Sequence, residues 1–451
     1  MIGLLNAILL VLTVMFIAYV LCILIPFLRH KPIDHGATDE FQWHLFIPCR
    51  DEETVVDATI RRAMKDFPEA HVWVIDDDSD DRTVDIANEY SGINSKIHVV
   101  RRKRPNARLG KGSALNGAYK ALNQWLPSTI DRSRVIIGVV DADGELAPDA
   151  LAVVASQSVF GRAKTGAAQI AVWMKNRDDK NPLPAQGRIA NWFASSLLRL
   201  QDIEFRTVIA GMQSLRERTG TVGLGGNGQF ARLSTLDAIA EQYGEPWHGA
   251  LLEDYELGVH VLLAGYEVKH VYDTHVSQEA LPDLKRLMVQ RTRWAQGNIQ
   301  CVKYIKDVAM SPHFDSAGVI ETAYYLFLPF AQIIGLVALV TSTAITVPPY
   351  LTNPGNYTVT PVLLVSLLAL LIVFSVIPFG LWGVVYKYRC EPSASLRSGI
   401  FWGVGMWLYV YYTYICIIHA FVRVLRGNNG WAKTRRNADV LINRGSVAIE
   451  H

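Results

Sequence analysis

The sequence predicts an α/β domain inserted between membrane-spanning helices, and three observations carry that prediction. The chain has 451 residues, 50% of them hydrophobic and only 19% charged, whereas in an ordinary soluble domain about a quarter of positions are charged. The apolar residues are gathered into charge-free blocks near the two ends of the chain. Between these blocks, short apolar runs alternate with helical patterns, as strands and helices do in layered α/β domains. The 44 Lys and Arg nearly balance the 42 Asp and Glu, for a net charge of +2. That balance excludes a strongly basic nucleic-acid-binding domain, and the high apolar content excludes disorder.

Met1 to Leu28 contains no charged side chain, and about 20 consecutive apolar residues are enough to span a bilayer core as a helix. A cleaved signal peptide would begin with basic residues and end at a small-residue cleavage site. Here the first basic residue is Arg29, so residues 1–28 are expected to be a retained transmembrane anchor. Thr322 to Pro349, Val359 to Tyr386 and Gly399 to Val422 predict three further spans within 320–424. Arg29 and Lys31 follow the anchor, so the positive-inside rule puts the N-terminus outside and the central domain in the cytoplasm of a multi-pass cell-membrane protein. One conflict stands: the loop YKYRCEPSASLR and the tail 425–451 are both basic, yet they flank a single expected span. Either the last block does not cross fully, or the tail is exported despite its charge. The five cysteines form no C-x-x-C pair, which points to reduced structural thiols.

The central domain, residues 41–312, reads as a parallel-sheet α/β unit. HLFIPC is a buried strand, followed by the polar turn RDEE and a helix from Thr54 to Lys65. HVWVID is a second strand ending in DDSDD, and a helix resumes from Thr83 to Tyr90. KIHVVRR and RVIIGVVDAD are two further strands, the latter ending in carboxylates. Ligands of open α/β sheets bind at the carboxyl ends of strands, where Asp76, Asp77 and Asp141 fall. Any one of these alone is an ordinary turn or N-cap residue; two such clusters on one sheet point to a site. Asp141 and Asp143, one residue apart, can reach one hard cation that keeps room for substrate phosphates. Lys111 opens a helix after a glycine, a place suited to phosphate, although the complete P-loop frame is absent.

Glu253 and Asp254 begin a helix with an apolar stripe at Leu257, Val261 and Ala264; the helix dipole alone would favour acidic residues there. Gln290, Arg293, Trp294 and Gly297 recur at i, i+3, i+4 and i+7 and share one helix face. A Trp can stack on a sugar ring and an Arg can bind phosphate bidentately, while the bland alternative is a helix lying at the headgroups. Apolar positions from Ile189 to Leu215 follow a helical stripe. Residues 189–217 and 284–307 are therefore candidate interfacial helices.

Together these residues resemble the membrane-integrated family 2 glycosyltransferases, which include cellulose, chitin, hyaluronan and poly-N-acetylglucosamine synthases. The resemblance runs from Phe41 to Asn298 through IPCRDEE, VIDDDSDDRT, KGSALNGA, DADG, GGNGQFAR, LLEDYELG and QRTRW, in the family's order. It implies a GT-A domain that binds a UDP-sugar with Mg²⁺ or Mn²⁺. By the same resemblance, Asp76 or Asp77 contacts the nucleotide with Lys111 nearby, Asp141 and Asp143 hold diphosphate and metal, and Asp254 is the general base. Gln290, Arg293 and Trp294 match the Q-x-x-R-W signature, and Gly226, Asn227 and Glu253 fall in the acceptor region. Leu252 replaces the usual Thr or Ser, and GGNGQ replaces the acceptor motif of cellulose and chitin synthases. The expected function is inverting transfer that builds a β-linked polysaccharide processively. The alternative is a glycolipid synthase that glycosylates a membrane lipid such as diacylglycerol.

Overall fold

The structure, a computed structural model, describes residues 2–352, 360–428, 430 and 437. The remainder of the expected basic tail, and most of the turn before the third apolar block, lie outside the described residues. The chain begins with α1 (Ile2–Leu28), an apolar helix of 27 residues whose buried positions lie near its C-terminal end.

The domain that follows is built on an eight-stranded sheet in the order β3-β2-β1-β4-β7-β6-β8-β5. The strands are β1 (Gln42–Cys49), β2 (His71–Asp77), β3 (Ile97–Arg102), β4 (Val135–Val139), β5 (Glu145–Leu146), β6 (Thr165–Met174), β7 (Gln229–Arg232) and β8 (Glu267–Gln278). Side chains alternate across a strand, so neighbouring residues of β1 serve two cores. Leu45 and Ile47 pack beneath α2 (Val56–Asp66) and α3 (Thr83–Ile93) in one cluster. Phe46 faces the other side, with Leu115 of α4 (Lys111–Trp125), Leu236 of α8 (Leu233–Tyr243) and Leu257 of α9 (Glu253–Leu263). α5 (Ala150–Val154) closes the first core.

The expected parallel sheet is in fact a mixed one, in which β6 and β8 are also parallel. β3, β2, β1 and β4 are parallel, but β7 runs antiparallel to both β4 and β6, and β5 antiparallel to β8. A parallel return needs a crossover that carries the chain back to the starting edge. After β6 the chain instead passes through α6 (Gly187–Ile203), a π-helical turn (Glu204–Ile209) and α7 (Ala210–Thr219). It then re-enters the sheet from the end at which β6 left it, so β7 points the other way. The strand expected over RVIIGVVDAD also stops early, at Val139, leaving Asp141 and Asp143 on the loop beyond it.

The expected helix over 189–217 is present as α6, the π turn and α7, and the one over 284–307 as α10 (Leu284–Cys301), a 3-10 turn and α11 (Ile305–Met310). Among the described residues, four segments are long and apolar enough to cross a membrane: Ile2–Leu28, Ser316–Pro349, Leu364–Arg389 and Leu396–Leu425. α12 (Ser316–Thr352) lies antiparallel to α1, with Ser342 Oγ 3.2 Å from Asn6 Oδ1 and the Tyr19 and Tyr324 rings stacked at 4.3 Å. α13 (Pro361–Leu371) continues through a π turn (Ile372–Val376) into α14 (Ile377–Arg389).

The last apolar block differs from a simple span. It comprises α15 (Leu396–Tyr409) and α16 (Tyr412–Leu425), each 14 residues, separated at Val410 and Tyr411. The residues before it, along it and after it touch the α/β domain. Glu391 pairs with Arg206 at 3.2 Å, Tyr409 donates to Glu204 at 2.8 Å, and Arg423 donates to Gln296 at 2.7 Å. In the tail, Asn437 accepts from Arg286 at 3.0 Å.

α14 and α15 approach through glycines, as small residues allow between apolar helices. A Cβ on Gly383 would lie 2.2 Å from the Gly403 nitrogen. Gly383→Val is expected to cost about 1–3 kcal/mol by overpacking, read as a lower thermal midpoint in detergent. Gly92→Ala in α3, where nothing lies within 4 Å of the new Cβ, is expected to leave that midpoint nearly unchanged.

Candidate active site

The carboxyl ends of β1, β2 and β4 and the N-termini of α4 and α9 open onto one cleft of about 460 Å³. Asp77, Lys111, Asp141, Gly226, Asn227, Glu253 and Asp254 all line it, and so do Gln290, Arg293 and Trp294 of α10. Residues more than 200 positions apart in sequence thus converge, because the sheet brings its strand ends together and α10 folds back across them.

Lys111 is the hub. Its ammonium donates to Asp141 Oδ1 and to the Gly226 carbonyl. Burial works against that charge, but Asp141 and then Glu253 outweigh it and hold the Lys111 pKa above its ordinary value. Burial raises Asp254, opposed by the Tyr255 N–H that its Oδ1 accepts at 2.7 Å and by Lys111. Glu253 is raised by burial first and by the Asp254 charge second. A carboxylate with a raised pKa is a better proton acceptor, which suits a general base. A Cβ on Gly226 would sit 3.1 Å from Lys111 Nζ and 3.2 Å from Asp254 Oδ2, so a larger residue there would push one of these side chains aside. Asn227 fixes the adjoining loop, its Oδ1 accepting the Asp141 N–H at 3.1 Å and its Nδ2 donating to Gln278 at 3.0 Å.

At the end of β2 the two expected carboxylates separate. Asp77 lines the cleft, ion-paired with Arg102, and accepts the Arg108 N–H at 3.0 Å. Burial still raises its pKa, against the pull of Arg102. Asp76 is buried, is not part of the cleft lining and accepts the Ser79 N–H at 3.2 Å. That bond closes the turn after β2. Asp78 follows at φ 63°, a left-handed conformation that Asp tolerates better than most residues.

Asp143 is likewise not part of the cleft lining; its carboxylate accepts the Glu279 N–H at 3.2 Å. Among the described residues no group of three or more His, Cys, Asp or Glu is arranged to hold a metal. The hard oxygens of Asp141 and Asp143 fit a divalent cation only as part of its shell, the rest being supplied by a diphosphate and water. Lys111 currently supplies positive charge at Asp141.

On α10 the expected shared face is present, and it is braced by residues that the sequence pattern did not single out. Arg291 lies over the Trp294 ring at 4.1 Å and pairs with Glu204 of the π turn at 2.8 Å. Glu204 and Phe205 join the cleft lining, and π turns are often found at functional sites. Gln169 is the other omission: it accepts the Gly225 N–H at 2.7 Å and donates to the Asn227 carbonyl at 2.9 Å. A lone polar residue inside the buried run GAAQIAVWM was its available signal; the π turn had none.

Removing the hub cation has a signed consequence. In Lys111→Met, Glu253 and Asp254 lose a counterion that holds their pKa values down, and those values rise further. A raised carboxylate pKa destabilises the fold above that pKa, and the loss is recovered as pH falls through it. The variant is expected to lose about 3 kcal/mol at pH 8 and clearly less at pH 5, measured by thermal unfolding at both values.

Comparison with known proteins accords with this geometry. The β-monoglucosyldiacylglycerol synthase of Trichormus variabilis is 29% identical over 259 residues, covering 57% of this chain and 48% of that protein. Its namesake from Synechocystis sp. is 30% identical over 261 residues, covering 57% and 47%. The chain thus spans about half the length of the curated relatives it matches. Among solved structures, a mannosyltransferase from Pyrobaculum calidifontis in complex with GDP-Man and Mn²⁺ matches with a TM-score of 0.54 at 17% identity, covering 93% of this chain and 99% of that one. That likeness bears on the fold, which is the GT-A-like α/β fold expected from the sequence. The family model described as glycosyltransferase like family 2 matches residues 42–297, more than half the chain, and the chain belongs to that family.

Proposed function

We propose that this chain is a membrane-bound hexosyltransferase that moves a sugar from a nucleoside-diphosphate donor, a UDP-sugar by the sequence resemblance, onto the hydroxyl of a membrane lipid. The observation that carries this reading is the composition of the cleft: Asp254 and Lys111 line one part and Tyr325 of α12, an apolar helix long enough to span a bilayer, lines another. The similarity to proteins named as glycolipid synthases favours the lipid acceptor over a growing polysaccharide. The processive reading rests on the Gln290, Arg293 and Trp294 signature.

In this mechanism Asp77 faces the nucleotide, Arg293 and Lys111 face the diphosphate, and Trp294 offers a stacking surface to the sugar. Asp254 accepts the proton of the acceptor hydroxyl as its oxygen attacks the anomeric carbon. Glu253 and Asn227 shape the acceptor side. Asp141 and Asp143 are the residues that would hold a divalent cation, Mg²⁺ or Mn²⁺, whose positive charge would ease departure of the nucleotide. Attack opposite the leaving group inverts an α-linked donor to a β-glycoside.

Purified protein given radiolabelled UDP-hexoses and diacylglycerol in mixed micelles is expected to form a small, chloroform-soluble product. A large, water-soluble product would overturn the lipid reading in favour of the polymer.

The same proposal gives the membrane arrangement. α1, α12 and the α13–α14 helix cross; α15 and α16 do not, because Glu391 just before them, Tyr409 along them and Arg423 near their end are bonded to the domain. That accounts for basic residues on both sides of the last apolar block. It also places α6, with Trp192 55% and Phe193 62% exposed, at the surface of the bilayer. A fluorescent protein fused after residue 451 is therefore expected to fluoresce in bacterial inner membranes, and alkaline phosphatase fused at the same point to stay inactive. An active phosphatase would mean that the last block crosses.

A further inference from the structure

The cleft extends beyond the part used by donor and base. Along the loop 223–226, Gly226 lies against Lys111 and Asp254, while Gly223 lies against Tyr255 and Arg216. Three residues of chain reach at most about 10 Å, so Asp254 and Arg216 mark the two ends of one short wall. Ile209, Met212 and Leu224 line the same cleft, together with His270 of β8 and Tyr325 of α12; we call the part on the Arg216 side its inner lobe. The transfer chemistry as described makes no use of it.

Two polar side chains in this lobe have unmet hydrogen-bonding capacity. Both ring nitrogens of His270 are buried and outside normal hydrogen-bond geometry, the nearest acceptor being the Gln169 backbone, and Arg216 Nη2 is buried without a partner. Arg216 is otherwise held, its Nε donating to Glu321 at 2.7 Å and its guanidinium lying 4.1 Å from the Tyr325 ring centre. Buried polar groups in native proteins nearly always find partners, so such atoms on a cavity wall mark a place where a ligand completes the set. The charge narrows the ligand. Arg216 and Glu321 cancel one another, and burial, against a smaller opposing effect of the Gln169 backbone, lowers His270 to about 4. The lobe therefore offers hydrogen bonds without net charge, beside an apolar lining and a helix long enough to cross the bilayer. An anionic head would enter with no free counterion; an uncharged head with hydroxyl and ester oxygens would be matched.

We propose that this inner lobe is the acceptor subsite and that His270 binds the uncharged polar head of an acylglycerol, directing its free hydroxyl at Asp254. The proposal rests on the lipid-acceptor reading and adds to it a residue and a place in the cleft.

The test compares wild type, His270→Leu and His270→Gln with dioleoylglycerol in mixed micelles as acceptor. His270→Leu is expected to raise the acceptor KM at least tenfold while the donor KM stays within twofold. His270→Gln, which keeps a donor and an acceptor, is expected to restore the acceptor KM to within threefold of wild type. Met212→Trp, which fills the lobe from its apolar wall, is expected to raise the acceptor KM as well. An unchanged acceptor KM in both His270→Leu and Met212→Trp, or a fall in kcat with both KM values unchanged, overturns the proposal while the lipid reading stands. Absence of any lipid product from wild type overturns the lipid reading itself, and this proposal with it.

Discussion

The site depends on one buried cation. The Lys111 ammonium bonds Asp141 from the end of β4 and the carbonyl of Gly226 from the loop that leads into β7, and it lies within the field of Glu253 and Asp254 on α9. Without it three carboxyl groups would crowd a partly desolvated cleft, a costly arrangement because each loses hydration and repels the others. With it, Asp254 keeps a raised pKa and remains ionisable, which is the state a base requires. The glycine at 226 suits the same constraint, since a Cβ there would crowd both the ammonium and the Asp254 carboxylate.

A second set of buried charges ties the domain to its apolar helices. Arg216 pairs with Glu321 of α12 at 2.7 Å, and Arg291 pairs with Glu204, which also receives Tyr409 of α15. Arg206 pairs with Asp202 at 3.3 Å, and Asp202 accepts Tyr386 of α14 at 2.6 Å. Buried pairs of this kind contribute little net stability, because desolvation offsets attraction, but losing one partner is expensive. Their consequence here is registration: the π turn and α7 line the cleft and also grip α12, α14 and α15. The cleft is thereby held beside the helices from which a lipid would arrive.

Much of this was legible in the sequence, and the reasons are specific. Short apolar runs bounded by polar turns revealed β1 to β4, and the charge-free blocks revealed α1, α12 and α13–α14. The clustering of Asp77, Lys111, Asp141, Asp254 and the α10 face followed from strand-end placement and the family resemblance. Asp76 and Asp143 were harder, because adjacent carboxylates on one turn point in different directions and sequence does not say which faces the cleft. The reversed β7 depended on where α6 and α7 lead the chain, a tertiary fact. The bend at Val410 carries no proline or glycine to announce it, and the basic charge at both of its flanks was the sole hint.

The most direct measurement is single-turnover transfer by Asp254→Asn beside calorimetric titration of the same protein with UDP. Loss of the base is expected to slow transfer by about 10²-fold or more while nucleotide affinity stays within a few-fold of wild type. Transfer at the wild-type rate would contradict the assignment of Asp254 and the geometry built around it.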